Sequence, residues 1–151
     1  MESLFKAWKT SRKIYADLLD KYTLEQLNKI PNGFNNNLIW NAAHIICSHQ
    51  SLIYMSSNLP INIPEDFFNR YKPETKPMEP AEQEEVDYVK NLLLTTVNQT
   101  EADLASGKFV SFNERQTRTG FHLGNLQDAL YFNLYHEGIH LGYIMSIRKF
   151  V

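Results

Sequence analysis

The chain has 151 residues, 43% hydrophobic and 13% aromatic, which allows one sizeable core and leaves no length for a second domain. Its formal charge of -2 lacks the basic surplus that binders of phosphate backbones carry, so DNA and RNA are not expected partners. No stretch approaches the roughly 18 to 20 apolar residues that span a bilayer, Lys6, Lys9, Arg12 and Lys13 break up the start where a signal peptide would be apolar, and the single Cys47 cannot form an internal disulfide. These features suit a reducing cytoplasm.

In chain order, Phe5, Trp8, Arg12, Tyr15, Leu19 and Tyr22 recur at helical spacing and predict a first amphipathic helix from Ser3 to Tyr22. Thr23 to Gln26 has capping-box spacing and opens a short turn before Pro31, after which Asn32, Gly33 and the run Asn35 to Asn37 mark a loop. Leu38 to Ser56 contains no Gly or Pro and carries Ile39, Trp40, Ala43, Ile46, Cys47, Ile53 and Tyr54 on one broad arc, a second helix. Pro60, Pro64, Pro73, Pro77 and Pro80 then make Asn58 to Pro80 a long connection, with Phe67, Phe68 and Tyr71 to pin it over the fold. Ala81 to Ser106 is a third helix with an acidic start, an apolar middle and a stop at Gly107. Lys108 to Gly124 reads as extended or irregular chain, and Asn125 can cap a last helix from Leu126 to about Phe150. The expected architecture is all-α: one domain over residues 1–151, a four-helix bundle with a long crossover between helices 2 and 3.

In the last helix, Ala129, Phe132, His136, Ile139, His140, Tyr143, Ile144, Ile147 and Phe150 fall on one arc, with the two histidines near its centre and Glu137 on its flank. Imidazoles four residues apart can reach one ion, and two such rings on a core face are costly unless paired. They are either ordinary core histidines satisfied by protein partners or a pair of metal ligands. His136, Glu137 and His140 also spell H-E-x-x-H, the zinc-protease helix with glutamate as general base. Proteases of that kind take a third ligand from further down the chain, but Leu141 to Val151 contains no His, Asp or Glu, so a third ligand must come from upstream. His122 lies roughly 20 Å from His136 along a helix axis at about 1.5 Å per residue and reads as a loop residue. His44 and His49 point about 140° apart on the second helix, so both cannot be ligands of one ion. Periodicity does not choose between them; His49 reads as a surface or interface histidine.

Trp40-Asn41-Ala42-Ala43-His44-Ile45, the long connection, and His136-Glu137-Gly138-Ile139-His140-Leu141-Gly142-Tyr143-Ile144 together resemble the DinB-like (DinB/YfiT-like) superfamily of metalloenzymes. The likeness covers nearly the whole chain in helix order and spacing. It implies a three-histidine site made of His44, His136 and His140 for a divalent ion, which could be zinc, nickel, iron or manganese since all accept imidazole. It also implies a small-molecule substrate and, as in some relatives, transfer or isomerisation with a low-molecular-weight thiol. Many relatives have Gln where this chain has Tyr143. An ion on neutral imidazoles with an open position would lower the pKa of a water or thiol. Glu137 is then a candidate base, or else a supporting or solvated carboxylate. Tyr54 and Tyr143 are candidate proton donors or plain core residues, and Cys47 reads as a buried small side chain. A second stripe, Leu130, Leu134, Leu141 and Met145, asks for a second cover, either the crossover or another subunit, and the resemblance, to a family whose members are often dimers, implies a homodimer. The leading function is a metal-dependent thiol S-transferase or hydrolase. Its rivals are a metal- or ligand-binding module without turnover and a structural helical dimer whose histidines bind nothing.

Overall fold

The computed structural model describes residues 1–151, and helices dominate it. Helix α1, Glu2–Leu19, buries Phe5, Trp8, Arg12, Tyr15 and Leu19 along the expected stripe and stops before Tyr22. The short α2, Leu24–Asn28, starts in the anticipated capping box: Gln26 N–H donates to Thr23 Oγ1, and Thr23 N–H donates to Gln26 Oε1. Asn37 caps α3, Leu38–His49, by accepting from Trp40 N–H at 2.9 Å. The helical path of α3 continues through one π turn, Gln50–Tyr54, and a 3-10 turn, Met55–Ser57.

The long connection runs as a crossover and contains regular structure of its own. Between Pro64 and Pro73 it forms a helix, α4, Glu65–Tyr71, whose first turn carries Glu65 and Asp66 where the helix dipole favours acids. Phe67 and Tyr71 are buried and Tyr71 Oη donates to Glu85, so the aromatics do fasten the crossover to the bundle. Helix α5, Gln83–Ala105, ends in a Schellman turn at Gly107, whose positive φ favours glycine: Lys108 N–H donates to the Asp103 carbonyl and Gly107 N–H to that of Leu104. The stretch read as extended contains a small antiparallel hairpin, β1 (Arg115–Gln116) and β2 (His122–Leu123), paired Arg115 to Leu123 and Gln116 to His122. Asn125 then caps α6, Leu126–Ile147, as its position suggests.

The long helices α1, α3, α5 and α6 form the bundle. Both α1 and α3 pack against α5 and α6, which places α1 and α3 on one diagonal and α5 and α6 on the other. The core is divided along its length. One apolar cluster holds Tyr15, Ile39, Ile46, Leu93 and Ile144, and a second holds Phe5, Trp8, Ile53, Val97 and Leu130. Between them every helix contributes a buried polar residue: Arg12, His49, Thr100, and Asn133 with Glu137. Fully buried aliphatic side chains stabilise a fold by ~1.5–3 kcal/mol each, whereas this polar layer holds only if its groups pair.

The buried face of α6 is not the expected one. Ala129, Leu130, Asn133, Glu137, Ile144 and Ile147 are buried, Ile139 and Tyr143 are exposed, and His136 and His140 lie at the edge. The expected second stripe is largely absorbed within the chain, because Leu130 is buried and Leu134 and Leu141 pack on the two apolar clusters; Met145 alone is exposed.

Candidate metal centre

The structure brings His44, His136 and His140 together, with one possible ligand atom from each lying within 4.8 Å of the others. Helix packing explains the meeting: α3 and α6 are neighbours, His136 and His140 are one turn apart on α6, and His44 faces them from α3.

Two of the three rings are held by the protein in the tautomer a metal ligand requires. His44 Nδ1 lies 2.8 Å from the Tyr71 carbonyl oxygen. A carbonyl only accepts, so Nδ1 carries the proton and Nε2 keeps its lone pair. That carbonyl is free because Tyr71 is the last residue of α4, and the last carbonyls of a helix have no partner within it. His44 also stacks on Trp40, with centroids 4.5 Å apart and planes 12° apart, and its Nε2 is 3.1 Å from Ser48 Oγ, which donates to it. His140 Nδ1 donates to Asn41 Oδ1 at 2.8 Å. Asn41 cannot turn its amide round cheaply, since its Nδ2 already donates to Asn36 Oδ1 and the Asn37 carbonyl. His140 Nε2 is therefore also a lone pair, and it points at His136 Nε2, 3.2 Å away. His136 Nδ1 is buried with no hydrogen-bond partner, and its ring stacks on Phe132.

These residues fit a divalent ion. Two nitrogen ligands around a tetrahedral ion with bonds of about 2.0–2.1 Å stand about 3.3 Å apart, close to the 3.2 Å found between His136 and His140. Outer Nδ1–H bonds to oxygen acceptors are the usual support for metal-bound imidazole. Burial holds all three rings in the neutral form that ligation needs: it lowers the pKa of His44, and of His136 to about 4 with help from His44, and of His140 to about 2 with help from His44 and His136. Two cavities flank the cluster. One, of about 290 Å³ under the β1–β2 hairpin, is lined by His44 and His136. The other, of about 500 Å³, is lined by His140, Asn41 and Tyr143.

Glu137 is adjacent to His136 in sequence but faces the other way. Its carboxylate is fully buried, with Oε2 accepting from Arg12 Nε and Oε1 from Arg12 Nη2, Trp8 Nε1 and Asn133 Nδ2, each at 2.8 Å. Tyr15 Oη donates to the Glu137 backbone carbonyl. The flank position expected from periodicity is thus the centre of the buried face, and the carboxylate has no side open to the histidines. His49 is a correction too, since it is fully buried in the interior. Its Nδ1 lies 3.5 Å from Arg12 Nη2 and its Nε2 is 2.8 Å from Thr100 Oγ1, and burial together with the Arg12 charge holds its pKa well below the ordinary range. The π turn aligns residues five apart, which lets Tyr54 reach the same Thr100 hydroxyl at 3.2 Å. Tyr54 Oη also donates to Asp103, so its hydroxyl is committed away from the cluster, whereas Tyr143 stands beside His140. His122 is exposed on β2, near Glu114 and outside the cluster. Cys47 is buried, and desolvation raises its thiol pKa, which makes it inert.

Asn41, Ser48 and Tyr71 were not singled out by the sequence pattern as parts of the site. Asn41 had a signal, a polar residue in an otherwise apolar run one turn before His44. The Tyr71 contribution had none, because it is a backbone atom delivered by the crossover.

No helix is long and apolar enough to cross a membrane. A comparison with curated protein sequences finds no match. The family profile for the DinB superfamily matches residues 7–144, a span that contains all three clustered histidines, all four bundle helices in whole or large part and the crossover. The chain belongs to the DinB superfamily.

Proposed function

We propose that this protein is a metal-dependent enzyme that holds a divalent ion on His44, His136 and His140 and acts on a small molecule, by thiol S-transfer or hydrolysis. The observation that carries the reading is the pair of Nδ1–H bonds, His44 to the Tyr71 carbonyl and His140 to Asn41, which leave Nε2 of each ring as an acceptor beside His136, that of His44 meeting only the Ser48 hydroxyl, which an ion would displace. When bound, the ion would supply a Lewis acid able to lower the pKa of a water or thiol towards neutrality. The chain's own residues do the rest: Trp40, Asn41 and Tyr71 orient the imidazoles, and Tyr143 stands where it can exchange a proton with a ligand in the cavity beside His140. In this reading Glu137 is not a base; it anchors α6 to α1 through Arg12. Zinc, nickel, iron and manganese all suit the nitrogen donors, and a reducing cytoplasm suits the free Cys47 and a thiol co-substrate.

The test is the metal content of protein purified without a histidine tag, beside His44→Ala and His140→Ala. Near-stoichiometric metal that disappears in both variants supports the site; metal-free protein that gains no stability from zinc, nickel or manganese overturns it. A binding module without turnover is separated by assaying an electrophile with a low-molecular-weight thiol, since turnover lost in His136→Ala requires an enzyme. The two cavities flanking the cluster favour turnover over a closed structural ion.

The homodimer is proposed on the exposed face of α6, since Leu130, Leu134 and Leu141 are taken up within the chain. Tyr131, Tyr135 and Met145 are exposed there beside Gly138 and Gly142, which have open space above them. Light scattering of wild type and Tyr135→Lys checks this, with a dimer expected for the first and a monomer for the second.

A further inference from the structure

The two cavities beside the histidines differ in charge, and the difference bears on what the site takes. We propose that the cavity under the β1–β2 hairpin is a subsite for the oxyanion of a small substrate, a carboxylate or a phosphate, bound by Arg115 and Arg118 next to the histidine cluster. The proposal rests on the metal reading above and adds a substrate class to it.

At about 290 Å³ this cavity is near the lower size of small-molecule sites. Its wall includes the imidazoles of His44 and His136, the ring of Phe132 and both arginines, and no Asp or Glu lines it. The cavity beside His140 is lined by asparagines, aromatics and Ile139, with no Arg, Lys, Asp or Glu. A substrate with one charged end would therefore place that end on the hairpin side.

The state of each arginine supports the assignment. Arg115 makes no ion pair with any carboxylate; its Nη1 has only long contacts to neutral hydroxyls, 3.5 Å to Ser51 Oγ and 3.3 Å to Ser56 Oγ. Those contacts orient the guanidinium without neutralising it. Arg118, at the hairpin tip, is paired with Glu74 of the crossover. Both side chains of that pair are mostly exposed, 74% and 65%, so water and salt weaken it and an incoming oxyanion can displace Glu74. A guanidinium matches the two oxygens of a carboxylate or phosphate in a planar fork, which a lysine would not do. The hairpin has only a two-pair ladder, so closing Arg118 onto a ligand asks for little rearrangement.

The experiment is calorimetric titration of zinc-loaded wild type, Arg115→Met and Arg118→Met with succinate, its neutral diamide succinamide, and inorganic phosphate. Each protein's zinc content is measured first. A charge-assisted pair predicts that wild type binds at least one anion about tenfold or more tighter than succinamide, and that Arg115→Met loses about tenfold with zinc content unchanged. Arg118→Met loses less, roughly threefold, because its gain is offset by the Glu74 contact it gives up. Whichever anion suffers from the Arg115→Met change identifies carboxylate or phosphate as the source. Equal affinity for charged and neutral probes overturns the proposal, and so does anion binding that survives both substitutions, since the anion then sits on the ion alone. If zinc does not load at all, the metal reading fails separately, and titration of the metal-free protein still reads whether anion affinity depends on Arg115.

Discussion

Glu137 and His136 are neighbours in sequence on α6, yet they belong to two regions built on opposite rules. The carboxylate of Glu137 is saturated: four N–H donors reach its two oxygens, two of them from the Arg12 guanidinium at full burial, although Arg12 Nη1 and Asn133 Oδ1 beside it have no protein partner. The cluster around His136 is unsaturated by comparison, because His140 Nε2 meets only another imidazole and His136 Nδ1 meets nothing. Polar groups whose partners are all in the protein have no capacity left for a ligand. Groups held in one orientation but left without a partner keep theirs. The polar layer is thus read as structure and the cluster as chemistry, although both sit in the same H-E-x-x-H segment.

The largest effect is expected at Glu137. Glu137→Leu leaves the Arg12 charge buried and unpaired and is expected to cost about 3–5 kcal/mol in denaturant unfolding. The double variant Arg12→Met with Glu137→Leu should recover most of it, since replacing a whole buried pair with apolar side chains is often neutral. A loss near zero in the single variant would mean that the layer does not carry the fold.

Acid should strike the histidines before the carboxylates. Burial places the folded-state pKa of His136 at about 4 and of His140 at about 2, and lowers those of His44 and His49, against an ordinary value near 6.5. As pH falls the unfolded chain takes up these protons first, so the stabilisation is complete above about pH 6.5 and is lost as pH falls towards 4. Unfolding in the presence of a chelator should therefore weaken by a few kcal/mol across that window, and His140→Ala should show a shallower slope. An unchanged slope in that variant would contradict the burial argument.

Removing a ligand without disturbing the polar layer should give the reverse pattern to Glu137→Leu. For His140→Ala the metal-free stability should stay within about 1 kcal/mol of wild type. The gain of about 2.7 kcal/mol expected for wild type at metal a hundredfold above its dissociation constant should be absent. Thermal unfolding with and without zinc reads both. A smaller effect is expected at Asn41→Ala, which leaves all three imidazoles but frees the His140 ring; metal affinity measured against a competing chelator should fall about 10–100-fold, some 1.4–2.7 kcal/mol. Full affinity in Asn41→Ala would show that the outer hydrogen bond does not set the ring.

Much of this architecture is determined by local sequence. The capping box at Thr23, the Asn37 and Asn125 caps and the Gly107 stop place helix ends within a few residues, because a cap is chemistry between neighbours. The amphipathic stripe of α1 likewise names its own buried face, and the lone Arg12 on that stripe announces a buried partner without saying which. Pairing His136 with His140 is also local, one turn of helix.

Only the tertiary structure decided which way α6 turns. That helix is apolar most of the way round, so periodicity could set the histidines at the centre of the core face and Glu137 on its flank, when the packing does the opposite. The orientation follows from Arg12 on α1, because a buried guanidinium requires a carboxylate and Glu137 is the one α6 supplies beyond its first turn, where Asp128 is taken up by the N-terminal cap. Turning Glu137 inward moves His136 and His140 to the edge, against His44 and beside two cavities. Periodicity leaves His44 and His49 open, and the same packing turns His49 to the polar layer and His44 to the edge, beside His136 and His140. Local sequence thus determined the helices and their ends, through bonds between near neighbours, while the site depended on which buried charge found its partner across the bundle.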